Sequence, residues 1–260
     1  MAVLKAAQDY VVSAERWLLW TSLAWFEIKV KYRRSVLGPF WITLSTGISI
    51  ATIGPIYAKL MGSELDNYFA YLATSIVLWN FIAATIGDSC SSFIAAEGML
   101  KDMKLPFVLF VFKDMYRNLL LLAHNSIILV VLMFFFKFSV NIPLLLVTFA
   151  LVVINLFWIA VILAIICARF RDIGQIVTSI VQVAFFVTPI MWKPEMLGGA
   201  RHLVVELNPF YYLIDTFRSP LLTASVDPSN LAICAATALI GNFVAFWFFA
   251  GKRGRITYWL

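Results

Sequence analysis

Few side chains in this sequence have the types and spacing that enzyme chemistry requires. The two histidines, His124 and His202, lie far apart and have no metal-ligand pattern around them. The sequence contains no phosphate-binding loop, no Gly-x-Ser-x-Gly elbow, no His-Glu-x-x-His pair and no Cys-x-x-Cys pair. The cysteines Cys90, Cys167 and Cys234 stand singly in or beside apolar runs, which is typical of packing residues. We therefore expect no catalytic site, no metal site and no cofactor.

Three carboxylates are the nearest candidates for an enzyme site at the membrane interface. Asp88, Glu97 and Asp102 do not form the carboxylate or histidine cluster that an integral membrane glycosyl- or acyltransferase would need. Asp88 ends an apolar interval, so we interpret it as an interfacial residue that water reaches. A secondary transporter would show paired broken helices and buried charges, and neither is evident.

The elements that must position any functional residue are predicted to be membrane-spanning helices. Of the 260 residues, 62% are hydrophobic and 13% are charged, whereas a soluble domain carries about 25% charged residues. Six intervals without Asp, Glu, Lys or Arg have about the 20 residues that a spanning helix needs. Their continuously apolar sequences do not alternate as the strands of a membrane barrel do. We predict an all-α integral membrane protein with one transmembrane domain over 1–260. The spans are 35–58, 67–87, 118–136, 142–168, 173–192 and 228–251.

The distribution of basic residues predicts the orientation. With both termini inside, fifteen of the 20 Lys and Arg residues fall on the inner side and five on the outer side. The outer five are Lys59, Lys137, Lys193, Arg201 and Arg218. This asymmetry predicts that both termini are cytoplasmic. It also accounts for the net charge of +6 without nucleic acid as a partner.

Two segments on the inner side are predicted to be helical without crossing the membrane. Residues 10–34 carry an apolar stripe at helical spacing that includes Val11, Leu18 and Trp25, and predict an amphipathic interface helix. This helix either anchors the first span or contacts a partner or a lipid head group. Residues 95–106 form a short loop that is either an ordinary solvated turn or a helix that docks in a groove of another protein. Met99, Leu100 and Met103 share one face of it, and Glu97, Lys101, Asp102 and Lys104 are polar.

The longest uncharged stretch of the outer segment 194–227 is too short to cross the membrane. The segment is nevertheless too apolar for a free loop. Phe210, Ile214, Phe217 and Leu221 predict a helix whose apolar stripe leaves Arg218 elsewhere. We predict short helices here that lie in the outer leaflet and cap a pathway. Trp192, Tyr211 and Tyr212 are either interfacial anchors or side chains that stack on sugar rings.

Four motifs in this order resemble the membrane subunit of ABC-2-type polysaccharide exporters, which move O-antigen, capsule or teichoic acid chains. The resemblance covers nearly the whole chain. The motifs are KVKYRRSVLGPFW at 29–41, ARFRDI at 168–173, TPIMW at 188–192 and NPFYYLIDTFRSPLL at 208–222.

The resemblance implies a homodimer of this chain with two copies of a cytoplasmic ATP-binding subunit. It implies that 95–106 is the coupling helix seated in that subunit, and that 194–227 forms gate helices beside the pore exit. It implies further that an undecaprenyl-linked polysaccharide, most of all O-antigen, is moved across the inner membrane with the interface helix near the point where the lipid enters. We hypothesise that Lys29, Lys31, Arg33 and Arg34 receive the lipid pyrophosphate, against the simpler interpretation that they anchor the helix.

An ABC-2 permease for capsule, teichoic acid, a small lipid or a drug is the nearest alternative, because it would have the same fold. An integral membrane enzyme is a distant alternative. A neighbouring gene for an ATPase would separate the transporter from the enzyme.

Overall fold

The computed structural model describes residues 2–62, 65–136, 138–196 and 203–260, and of Asp66 only the backbone. Every regular element within these ranges is helical, which confirms the all-α prediction. Lys137, Arg201, His202 and residues 197–200 of the predicted outer segment lie outside the described residues. In chain order the helices are α1 (Ala2–Glu15), α2 (Trp17–Tyr32), α3 (Phe40–Leu60), α4 (Leu65–Ala95), α5 (Glu97–Met103), α6 (Val108–Phe135), α7 (Ile142–Arg169), α8 (Ile173–Val187), α9 (Leu203–Glu206), α10 (Pro209–Leu222) and α11 (Pro228–Trp259), with a 3-10 turn at Pro194–Met196.

Five helices in the described part of the chain are long and apolar enough to cross a membrane, namely α3, α4, α6, α7 and α11. The sixth predicted span, 173–192, corresponds to α8, which has 15 residues and ends at Val187. At about 1.5 Å per residue, α8 extends about 22 Å, less than the roughly 30 Å of a hydrocarbon core. It ends there because Thr188 precedes Pro189 and adopts an extended backbone with ψ 138°, as residues before proline do. Six crossing helices therefore stay a prediction.

The spanning helices are longer than the uncharged intervals that predict them. Helix α6 begins at Val108 rather than at residue 118, so Lys113, Asp114 and Arg117 lie inside it. Helix α4 continues from the predicted end at residue 87 to Ala95. Charges do not end these helices, because the structure pairs them with one another.

The N-terminal segment differs from the predicted single helix over 10–34. The chain breaks at Arg16 into α1 and α2, and α1 already begins at Ala2. Most of the predicted apolar stripe faces outward, since Leu18 is 63% exposed and Trp25 is 51% exposed, but Ile28 of the same stripe is buried. The residues that α1 buries are the small or polar Ala6, Asp9 and Ser13, and α2 buries Ala24 and Ile28. Apolar side chains such as Leu18 and Trp25 therefore remain available to lipid, whereas Ile28 packs inside the bundle.

Helix α4 is the centre of the bundle, and it contacts α3, α6, α7, α8 and α10. Its side chains Tyr68, Leu72 and Ile82 are fully buried. Helix α5 follows the last residue of α4, whereas α10 reaches its first third, where Arg218 contacts Ser75. These two ends of the bundle are called the α5 end and the α10 end below.

Candidate functional site

Helix α5 is a short exposed helix that lies where sequence analysis predicts the coupling helix. Glu97 and Lys101 form an ion pair of 2.6 Å on its surface, and this hydrogen bond holds the pKa of the Glu97 carboxyl below its usual range. The helix ends at Met103, and the φ of 47° at the next residue, Lys104, lies in the left-handed region. Lys101, Asp102 and Lys104 are exposed.

The predicted apolar face of α5 is divided between two surroundings. Leu100 is buried and Met99 packs against the same core cluster, whereas Met103 is 63% exposed. Leu100 and Met99 therefore fix α5 to the bundle, and Met103 is the apolar side chain that α5 presents outward.

A polar cavity of about 320 Å³ lies between α2, α3, α4 and α6. Charged and amide side chains line most of it, and Ile42 and Leu122 belong to its apolar part. Its polar lining consists of Glu27, Lys31, Asn80, Asp88, Arg117, Asn118 and Asn125. Of the four basic residues predicted to receive a pyrophosphate, Lys31 lines this cavity. Lys29, Arg33 and Arg34 are exposed at the same end of α2.

An ion-pair network forms the floor of the polar cavity toward the α5 end. Arg117 pairs with Glu27, with Asp88 at 2.8 Å and with Asp114 at 3.2 Å. Lys113, which is 3% exposed, pairs with Glu27 at 2.5 Å and with Asp114 at 3.1 Å. Because each charge has partners of opposite sign, α6 carries them at a depth where a single charge would be costly. Asp88 is thus a paired residue as well as a partly exposed one.

Asn118 belongs to the lining of the polar cavity, and its side-chain amide is unpaired among the described residues. It is 1% exposed, and neither its amide nitrogen nor its amide oxygen has a hydrogen-bond partner among the described residues. Because buried amides are nearly always hydrogen-bonded, the unpaired amide of Asn118 is an exception among the described residues.

A second cavity, of about 650 Å³, continues toward the α10 end between α3, α4 and α8. It shares the lining residues Ile42 and Asn80 with the polar cavity, so the two cavities are neighbours. Hydroxyls of α3 line it, and the Asn80 amide donates to the Thr46 hydroxyl at 3.2 Å. At its far end it is lined by Phe185, Phe186 and Met191. Amides are therefore found in the linings of both cavities, and α3 hydroxyls in the lining of the second.

Arg218 holds several elements together at the α10 end of the bundle. It is 4% exposed, and its guanidinium donates to Asp215 at 3.0 Å, to the Ser75 hydroxyl at 3.1 Å and to the Pro189 carbonyl at 3.1 Å. The guanidinium also lies 4.0 Å from the centre of the Tyr71 ring, within the range of cation–π attraction. One side chain therefore joins α4, α10 and the turn after α8.

The turn after α8, residues 188–192, is held by further bonds from the same helices. The Tyr71 hydroxyl donates to the carbonyls of Pro189 and Trp192, each at 2.9 Å, and the Tyr68 hydroxyl donates to the Met191 carbonyl at 2.7 Å. Two of the sequence motifs meet here, since the Asn208 amide donates to the Thr188 hydroxyl at 2.9 Å.

The residues predicted for the outer gate fall into two groups. Phe217 and Arg218 are buried, and Phe217 packs against Phe149, so neither lines an open path. Phe210 is half-buried, contacts Trp79 and lines an apolar groove beside α8. The other aromatic residues are also half-buried: Trp192 donates to the Phe186 carbonyl, and Tyr211 packs edge-on against Tyr212.

The sequence analysis did not identify the partners that complete these sites. Glu27, Lys113 and Arg117 form most of the ion-pair network, and Tyr71 and Ser75 hold Arg218. The sequence did contain one indication of the network: three charged residues lie within the five positions 113–117, before an otherwise apolar run.

Comparison with known proteins gives the same family. The model of the ABC-2 type transporter family matches residues 19–222. A relative from Klebsiella pneumoniae, "O-antigen export system permease protein RfbA", is 22% identical over 220 residues, which are 82% of this chain and 84% of the relative. A second protein of that name and species is 24% identical over 224 residues, 84% of this chain and 85% of its own length. One from Myxococcus xanthus is 22% identical over 237 residues, 89% of this chain and 91% of its own length. The chain therefore belongs to the ABC-2 type transporter family, multi-pass membrane subunits that transport with a separate ATP-binding subunit.

Proposed function

We propose that this chain is the membrane subunit of an ATP-driven exporter that moves an undecaprenyl-linked polysaccharide, with O-antigen as the expected cargo, across the bacterial inner membrane. The names of its relatives support this cargo. In this proposal α8 is the fifth of six crossing helices, and both termini are cytoplasmic.

The observation that carries the proposal is the pair of neighbouring cavities that both have Asn80 in their lining. In the proposal these cavities join into one path. Sugar hydroxyls lose their water in hydrocarbon, and each unpaired polar group costs several kcal/mol there. Amides of Asn80, Asn118 and Asn125 and hydroxyls of α3 supply replacement hydrogen bonds along the path. A glycan needs such a surface over its whole length, whereas a compact ligand needs only one pocket.

A second copy of this chain completes the channel in this proposal. Helix α8 buries no residue within the chain, and Ile176, Ile180, Val183 and Phe186 are each more than half exposed. This apolar helix lies beside the second cavity. A partner copy would cover it and close the open side of the path.

The two ends of the path have separate roles in the proposal. At the α5 end, the exposed residues of α5 dock in the ATP-binding subunit, and the basic residues at the end of α2 receive the pyrophosphate, with Lys31 nearest the polar cavity. At the α10 end, α9 and α10 form the gate, which Arg218 holds to the turn after α8.

An export assay with a substitution at Asn80 tests this function. Asn80→Leu removes the amide that both cavities share and fills the space with an apolar side chain. We expect most surface glycan to be lost while the complex still assembles and hydrolyses ATP. Val131→Leu, on an exposed face of α6, is the matched control and should export normally. Normal export by Asn80→Leu would refute the path.

A permease for a small lipid or drug is the second candidate, and one observation favours it. An open apolar groove of about 700 Å³ lies between α8 and α10, lined by residues such as Ile180, Val183, Leu207 and Phe210. In that case Asn80→Leu would leave transport intact, and Val183→Trp in the groove would abolish it.

A further inference from the structure

A basic cleft of about 340 Å³ lies at the α5 end, between α1 and the segment that follows α5. It is separate from the two cavities of the path and shares no lining residue with them. Helix α11 reaches it through Arg253. The polar side chains that line the cleft are Lys5, Gln8, Asp9, Arg16, Lys104 and Arg253.

The single carboxylate of the cleft is already engaged by the protein. Asp9 is 2% exposed; it accepts from the Val108 backbone nitrogen at 3.1 Å and from Arg253 Nε at 2.8 Å. Burial raises the pKa of the Asp9 carboxyl, against the attraction of Arg253. Asp9 therefore balances one positive charge and leaves the others unbalanced.

The remaining basic side chains have no counter-charge in the described part of the chain. Lys5, Arg16 and Lys104 form no ion pair there, and the terminal nitrogens of Arg253 make no hydrogen bond there. Arg253 is held in place between Asp9 and the Phe107 ring, 5.7 Å from the ring centre. The backbone of Lys104 is fixed in the left-handed region at the end of α5. The cleft thus presents an excess of positive charge to an anion.

The surface beside the cleft is apolar. On α1, Leu4 is 77% exposed and Val11 is 56% exposed, and at the start of α2 Trp17 is 56% exposed. An occupant that suits both surfaces carries an anionic group and hydrocarbon together. An acidic segment of a soluble protein or a free phosphate would satisfy the charges and leave this apolar surface uncovered.

We propose that the basic cleft binds the phosphate of an anionic phospholipid headgroup from the leaflet at the α5 end. Guanidinium and ammonium groups bind phosphate oxygens through charge-assisted hydrogen bonds, and clustered basic residues at the membrane edge attract anionic lipid. Since Lys104 directly follows α5, a bound headgroup ties the end of α5 to α1 and α11. This consequence for coupling rests on the proposed function, but the binding site itself does not.

The test measures lipid binding to the purified full-length chain in detergent, without ATPase or glycan. The probes are fluorescent phosphatidylglycerol, fluorescent phosphatidylcholine and inorganic phosphate as a competitor. The cleft variant is Lys5→Gln/Arg16→Gln/Lys104→Gln, which keeps the Asp9–Arg253 pair. The control variant, Arg171→Gln/Lys252→Gln/Arg255→Gln, removes the same charge from residues that do not line the cleft.

We expect the wild-type chain and the control variant to bind phosphatidylglycerol better than phosphatidylcholine, and the cleft variant to bind phosphatidylglycerol at least about tenfold more weakly. An equal loss in both variants would overturn the proposal, because it would reflect overall charge. Full displacement by inorganic phosphate near its physiological concentration would also overturn it, in favour of a free anion. Unchanged lipid binding by the cleft variant would overturn it as well, because the basic side chains of the cleft would then not hold the headgroup. None of these outcomes depends on whether the chain exports glycan.

Discussion

Arg218 shows why a charged residue is retained in an apolar bundle. Its guanidinium has a carboxylate, a hydroxyl, a carbonyl and the face of an aromatic ring as partners. Asp215 in turn accepts from the Asn230 amide at 2.9 Å. The planar fork of arginine serves several acceptors at once, which the ammonium of lysine does not.

We expect replacement of Arg218 to lower the thermal stability of the fold, because this buried side chain has several partners. Arg218→Leu leaves the Asp215 carboxylate without its positive partner, which costs about 3–5 kcal/mol for a buried pair. Arg218→Lys keeps the charge but loses the fork, so we expect a smaller decrease. Thermal unfolding of the purified chain measures both. Arg171→Leu removes an exposed arginine and should leave the melting temperature unchanged. Equal melting temperatures for wild type and Arg218→Leu would contradict this role.

The sequence predicted the buried stripe of α10 correctly but not what holds Arg218. Ile214, Phe217 and Leu221 are buried as their spacing indicates. Ser75 lies 143 positions before Arg218, and the Tyr71 ring belongs to the same distant helix. Helical periodicity reports which face of a helix is apolar, but it contains no information on which other helix covers that face.

At the scale of helices, α7 and α11 pack through a close contact at Gly241. A Cβ atom there would clash with the Trp158 ring of α7. The Trp158 indole is itself held, since its nitrogen donates to Asn155 at 3.3 Å and Asn155 donates to the Cys234 carbonyl at 3.0 Å. The ring therefore has little freedom to move away, and only glycine fits beneath it.

Gly241→Ala should separate α7 from α11 and lower the free energy of unfolding by about 1–3 kcal/mol, the usual cost of overpacking. The matched control is Gly251→Ala on the same helix, where an added Cβ meets no atom within 4 Å. That change should be neutral or stabilising, because alanine is the better helix former. Denaturation of both variants in the same detergent provides the comparison. Similar stability of the two would argue against the close contact.

The boundaries of elements were harder to predict than their existence. Uncharged intervals located the apolar centres of the helices, yet α6 extends ten residues further because Lys113, Asp114 and Arg117 are paired. The N-terminal stripe identified apolar residues that face outward. The helices there pack through Ala6 and Ala24 instead, because small side chains allow close approach.

At the scale of the whole molecule, the structure places the termini at one end of the bundle. Asp9 of α1 binds both Val108 and Arg253, so the first and last helices meet at the α5 end. The turn between α6 and α7 lies at the other end, since the Asn141 backbone nitrogen donates to the Pro220 carbonyl at 2.9 Å. The excess of basic residues at the α5 end predicts that this end faces the cytoplasm.

Single-cysteine labelling in intact cells tests this orientation. In a chain with Cys90, Cys167 and Cys234 replaced by alanine, cysteines are introduced singly as Lys5→Cys, Val140→Cys and Arg255→Cys. All three positions are exposed. We expect an impermeant maleimide applied outside the inner membrane to label position 140 alone, and positions 5 and 255 to be labelled only after the membrane is opened.

The labelling pattern of these three positions shows whether the number of crossings or the orientation of the bundle is wrong. Labelling of 5 and 255 from opposite faces would mean an odd number of crossings, and α8 would then be the helix that does not cross, because at about 22 Å it is the shortest of the six. Labelling of 140 from the cytoplasm alone would invert the bundle and put α5 outside the cell, away from ATP. Either result would remove the physical basis for export, since a helix that transmits ATP hydrolysis must lie on the side where ATP is.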